Sequence, residues 1–120
     1  MAKATGIGGV FLRARDPKAL YAWYEKHLGL PLQYGSFVIP AEQERGSIAF
    51  AFFSDKSEHF PVSQPAMINL QVDDLDTLLD QLAAAGVVVD PKRDSADYGK
   101  FGWITDPEGN RVELWQPADS

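Results

Sequence analysis

The chain carries one pattern twice. Val10, Leu12, Ala14 and Asp16 are followed 58 positions later by Ile68, Leu70, Val72 and Asp74, and Gly29 and Gly86 lie 57 apart. Each copy opens on an alternating run, which fits a strand with one apolar face. An aspartate able to cap a helix comes next, then an apolar helical stripe, then a glycine, then short extended segments. The copies span residues 7–53 and 67–116, and the polar stretch 54–66, with two prolines, reads as the linker. At roughly 60 residues neither copy buries both its helix and its sheet well alone. One domain covering 1–120 is therefore expected, with the apolar sheet faces against the helices and the polar faces free to line a concavity.

In the first copy, residues 7–15 alternate: Val10, Leu12 and Ala14 share one face, and Gly9, Phe11, Arg13 and Arg15 the other. Asp16 and Pro17 start a helix whose stripe is Leu20, Trp23, Tyr24 and Leu28, ended by Gly29. Segments 30–34, 37–40 and 46–53 read as extended. In the second copy, Ile68, Leu70 and Val72 alternate with Met67, Asn69 and Gln71. Asp73 and Asp74 open a helix with the stripe Leu75, Leu78, Leu79 and Leu82, ended by Gly86. Residues 87–90, 100–105 and 111–115 follow as strands, and 91–99 reads as a loop.

The most informative stretch is WITDPEGNRVELWQ, residues 103–116, which reads as a hairpin. Pro107 presets φ in the turn, Gly109 accepts positive φ, and Asp106 and Asn110 bond nearby backbone. Beyond it, Val112 and Leu114 point one way, and Arg111, Glu113 and Trp115 the other. That second face fits either a wet strand with a salt-bridged Glu113 or a strand lining a pocket.

Composition bounds the chemistry. With no cysteine there are no disulfides, thiolate metal sites or cysteine nucleophiles. A net charge of −6 argues against nucleic acid or an anionic membrane as the main partner. No apolar run reaches membrane-span length, and MAKATGIGG has no signal-like stretch, so a cytoplasmic location is expected.

Three words, FLRARDPKALYAWYEKHLGL, INLQVDDLDTLLDQLAAAG and YGKFGWITDPEGNRVELWQP, together resemble the glyoxalase/bleomycin-resistance/dioxygenase family, or vicinal oxygen chelate superfamily, over nearly the whole chain. The resemblance implies an α+β fold of two βαβββ modules whose sheets curl around a cleft, commonly in a homodimer. It also implies where the family's metal enzymes place their ligands: at the start of each module's first strand and on each module's last strand. Those positions here are Gly9, Met67, the stretch around Phe50 to Phe52, and Glu113. Only Glu113 offers a suitable donor. A metal-free, bleomycin-resistance-like member without a cofactor is the expectation.

On the matching strands, Arg13 is placed to clamp a ligand carboxylate or to pair with Glu113. Phe11 shares its face. Asn69 and Gln71 are ligand contacts or partners of Arg13. Trp103 and Trp115 are aromatic walls or dimer-interface residues. Tyr98 sits in a loop over the cleft mouth or simply on the surface, and Arg111 flanks Glu113. His27 fits a helix C-terminus and His59 an exposed linker position, neither near the cleft. The aromatic count around Phe50, Phe52, Phe53, Trp103 and Trp115 exceeds what one small core needs, which supports a homodimer. The function expected is metal-independent binding or sequestration of a small molecule. The alternative is a lyase- or dioxygenase-like enzyme using Glu113, with a non-standard metal or none. A degenerate dimerisation scaffold is the third reading.

Overall fold

Helix α1 forms over Pro17–Leu28 for the reasons legible in the sequence: Asp16 Oδ1 accepts from Ala19 N at 3.1 Å, Pro17 occupies the first turn, and Gly29 ends the helix at φ 67°. The computed structural model describes residues 9–40 and 48–118. After α1 comes a short antiparallel hairpin, β1 (Leu32–Gln33) and β2 (Ser36–Phe37), turning at Tyr34 and Gly35, both with positive φ.

A five-stranded sheet then follows. Its strands are β3 (Ile68–Gln71), β4 (Val88–Val89), β5 (Asp94–Ala96), β6 (Gly99–Thr105) and β7 (Arg111–Pro117), with helix α2 (Leu75–Ala84) between β3 and β4. The order is β3-β7-β6-β4, with β5 also on β6. β3 runs parallel to β7, Asn69 opposite Glu113, while β6 and β7 form the antiparallel hairpin, Trp103 opposite Glu113. Asp74 caps α2 through Thr77 N, and Gln116 Oε1 accepts from Leu75 N at 2.9 Å, so the sheet's last strand also satisfies a helix-terminal donor.

Alternation decides what each face of the sheet does. Ile104, Val112 and Leu114 face the helices and are buried with Leu75, Leu79 and Leu82. Each such side chain contributes about 1.5–3 kcal/mol on burial. Tyr24 joins this core from α1, with Leu20, Trp23, Leu28 and Phe37 packed against it. Gly102 lets α2 come close: a Cβ there would lie 2.6 Å from Leu79 Cδ1. The opposite face carries Asn69, Gln71, Phe101, Trp103, Arg111, Glu113 and Trp115.

The β6–β7 turn also ties the two halves together. Asp106 accepts from Glu108 N, Asn110 N and Asn110 Nδ2 within the turn, and from Tyr24 Oη at 2.8 Å across the core. Burial, followed by the bond to Asp106, pushes the Tyr24 phenol far above its ordinary range. Glu108 accepts from Arg15 Nε and Asp16 N at the start of α1. The Arg15 guanidinium holds the Glu108 carboxyl below its ordinary range.

Several expectations are corrected. The strand proposed over residues 7–15 is not a strand in its described part: residues 9–14 make no ladder, and Val10 and Phe11 are exposed. The same holds for 48–53, the described part of the segment 46–53, where Phe50 and Phe52 are exposed. A strand needs a partner for its backbone groups, and neither segment has one among the described residues. Conversely, 91–99 is not all loop, because β5 pairs Asp94 with Phe101 and Ala96 with Gly99. Its residues Asp94, Ser95 and Ala96 lack strand propensity, and tertiary pairing overrides that.

Candidate functional site

The helix-free face of the sheet centres on Glu113. Its neighbours in register are Asn69 on β3 and Trp103 on β6, and alternation along β7 puts Arg111 and Trp115 on the same side. Glu113 is only 9% exposed. Burial pushes its carboxyl above the ordinary carboxylate range, while His59, a hydrogen bond from Asn69 and the Arg111 charge pull the other way.

His59 is the residue that sequence reasoning missed. It was expected on the surface of the linker, away from the cleft. Instead its Nε2 lies 3.6 Å from Glu113 Oε2. Its ring stacks on Phe53, with centroids 5.1 Å apart and planes 20° apart, and stands edge-on to Trp103 at 5.5 Å. No local sequence signal announces this, because the linker's path across the sheet is a tertiary fact.

Arg111 makes three contacts here. Its Nε donates to the His59 carbonyl at 3.0 Å, its Nη2 donates to Asp90 at 2.9 Å, and its guanidinium carbon sits 5.3 Å from the Trp103 ring centroid. The backbone N–H of Lys92, and then the Arg111 guanidinium, hold the Asp90 carboxyl below its ordinary range. Trp103 is 2% exposed, and its buried Nε1–H has no hydrogen-bond partner among the described residues. Beside this cluster, Ser57, Glu58, Phe60, Pro61, Val62, Asp90 and Arg111 line a cavity of about 400 Å³.

Trp115 lies farther along the face. It stacks parallel on Phe101 with centroids 6.1 Å apart, and its Nε1 donates to the Tyr98 carbonyl at 2.9 Å. Tyr98 occupies the β5–β6 turn, edge-on to Phe101 and largely exposed. Gln71 lies opposite Trp115 in register. Asn69, Gln71, Trp103, Arg111, Glu113 and Trp115 are thus brought to one face, with Tyr98 at its end.

Phe11 and Arg13 are not brought there. Phe11 is 94% exposed, and Arg13 is exposed and makes no ion pair with Glu113. The segment that carries them is not part of the sheet, so His59 and Asn69 take the place expected for Arg13. His27 sits in the last turn of α1 against Trp23, at 5.2 Å.

The metal that the family resemblance implies does not fit these residues. Gly9 has no side chain and Met67 offers a thioether, a poor donor for a hard ion. Phe50 and Phe52 offer no donor. Glu113 and His59 are two donors where several must converge. Among the described residues, no three His, Cys, Asp or Glu side chains gather into a metal site.

Comparison with known proteins agrees with this architecture. A family model described as "Glyoxalase/Bleomycin resistance protein/Dioxygenase superfamily" matches residues 6–114. A Mycobacterium tuberculosis protein named "Putative glyoxylase CFP32" is 39% identical over 59 residues, which is 47% of this chain and 23% of that protein. The chain therefore spans about a quarter of that curated relative's length. Among solved structures, TnmS3, an antibiotic binding protein from Streptomyces sp. CB03234, aligns at TM-score 0.60 and 22% identity over 96% of this chain and 100% of its own. The Vibrio cholerae integron cassette protein VCH_CASS1 aligns at TM-score 0.62 and 19% identity over 98% and 99%. At these identities the two structures speak for the fold alone.

Proposed function

Since the chain belongs to the glyoxalase/bleomycin resistance protein/dioxygenase superfamily, we propose that it is a metal-independent protein that binds and sequesters a small molecule on the helix-free face of its sheet. The observation that carries this reading is the setting of Glu113. It is a buried carboxylate among Trp103, His59 and Asn69, with no converging set of metal donors among the described residues. Such a face recognises a planar or cationic molecule by stacking and one charged bond. The antibiotic-binding activity named for TnmS3 supports the same reading of a shared fold. No helix among the described residues is long and apolar enough to cross a membrane, and a cytoplasmic location is part of the proposal. So is a homodimer, supported by the exposed Phe11, Phe50 and Phe52.

The test is a fluorescence titration of the purified protein with a panel of planar and cationic small molecules, alongside metal analysis. Saturable binding that is lost on Trp115→Ala, with less than stoichiometric metal, is the expected result. Stoichiometric metal, lost on Glu113→Gln, would return the chain to the metal enzymes. A second reading has its own observation. Burial raises the Glu113 carboxyl toward the working range of a general base, with His59 3.6 Å away to exchange the proton. A catalytic turnover that depends on both residues, without added metal, would favour it.

A further inference from the structure

The linker is fastened across the helix-free face at two points. Gln64 grips the β7 backbone as a strand residue would: Arg111 N donates to its Oε1 at 2.8 Å, and its Nε2 donates to Arg111 O at 2.9 Å and to Ala66 O at 2.8 Å. Five residues earlier, the His59 carbonyl takes Arg111 Nε. These anchors set the His59 ring down on Glu113, between the parallel ring of Phe53 and the perpendicular indole of Trp103.

Accepting the binding reading above, we infer that His59 is an internal occupant of the ligand site. Its ring stands where a free planar nitrogen heterocycle with a ring N–H binds once the strap lifts. Three features carry the inference. The ring's contacts form a small recognition set: a buried carboxylate 3.6 Å from a ring nitrogen, a parallel aromatic face and a perpendicular one. The strap holding it has no regular secondary structure between residues 53 and 64, so it is the part of the face that exchanges at least expense to the fold. The fit also leaves a donor over, since among the described residues the buried Trp103 Nε1–H has no partner although His59 lies against its ring. A native, fully evolved contact ordinarily satisfies such a donor.

Imidazole is the probe. His59→Gly removes the internal ring and keeps Glu113, Phe53 and Trp103. Titration of imidazole into this variant, followed by the Trp103 indole N–H resonance, should give saturable binding at least tenfold tighter than to the parent. Adding Glu113→Gln in the same background should weaken it at least fivefold. Equal imidazole binding by parent and variant, or no saturable shift in a variant with the parent's circular dichroism, overturns the inference. Should His59→Gly fail to fold, Gln64→Ala releases one anchor with His59 in place. Hydrogen exchange over residues 53–64 should then rise and imidazole binding become measurable; unchanged exchange, or raised exchange without imidazole binding, overturns the inference. If imidazole enters His59→Gly but no larger molecule binds either chain, the internal-occupant inference stands and the binding function falls. If a larger molecule binds the parent while the His59 ring resonances stay put, the function stands and this inference falls.

Discussion

The two halves of the chain share a sequence pattern and end in different states. In the second, β3, α2 and β4 to β7 close into a sheet backed by a helix, and it supplies every buried hydrophobic residue of the described chain except Tyr24. In the first, α1 and the two-residue strands β1 and β2 form, while residues 9–14 and 48–53 stay unpaired with Val10, Phe11, Phe50 and Phe52 exposed. The difference teaches that a helix can be specified locally but a strand cannot. Asp16 and Gly29 fix α1 with groups a few residues away, whereas a strand of the same alternation needs a second strand to take its backbone bonds.

The largest expected effects test this contrast in the core. Leu79→Ala, at a fully buried position of α2, should cost about 3–4 kcal/mol in urea unfolding. Leu20→Ala, on the stripe of α1, should cost about 1 kcal/mol. Equal costs would break the comparison and make α1 a full partner in the core.

Next in size is the tie between the halves. Tyr24→Phe removes one donor to Asp106 while three remain, which should cost about 1–1.5 kcal/mol. The phenol's folded pKa is raised, so the stability it contributes is present below the unfolded value of about 10 and lost as pH rises beyond it. The parent should therefore destabilise more steeply above that pH than Tyr24→Phe does. Parallel alkaline unfolding curves would refute the assignment.

Glu113 probes the helix-free face. Its folded pKa is also raised, so its contribution is present below the unfolded carboxylate range and is lost as pH rises through the folded value. Glu113→Gln should gain stability relative to the parent between mildly acid and neutral pH, measured by thermal unfolding at each pH. The opposite slope would mean that His59 and Asn69 outweigh burial. The smallest effect on stability should come from the first half's exposed surface. Phe50→Ser should leave unfolding of the isolated chain within about 0.5 kcal/mol of the parent. If the proposed homodimer uses that surface, light scattering of Phe50→Ser should show a lighter species than the parent.

Much of this was legible residue by residue. Asp16, Asp74, Gly29, the leucine stripe of α2 and the DPEGN turn act as their chemistry predicts, because capping, positive φ and helical periodicity are settled within a few residues. The grouping of Asn69, Trp103, Glu113 and Trp115 on one face followed from strand alternation plus the expected pairing. Arg13 failed as a partner of Glu113 because its role depended on a strand that has no ladder, and β5 was missed because Asp94, Ser95 and Ala96 become a strand only beside Phe101.

By itself, then, the sequence determined both helices, the β6–β7 hairpin and which side chains of β7 face the core. It also determined that two positions matching the family's metal ligands hold Gly9, with no side chain, and Met67, with only a thioether. Only the tertiary structure decided that the polar linker crosses the sheet, that His59 comes down on Glu113, and that Tyr24 reaches Asp106 from 82 residues away. The physical reason is range. Backbone propensity and capping act over one turn of chain, while the company a buried carboxylate keeps depends on which distant segment closes over it.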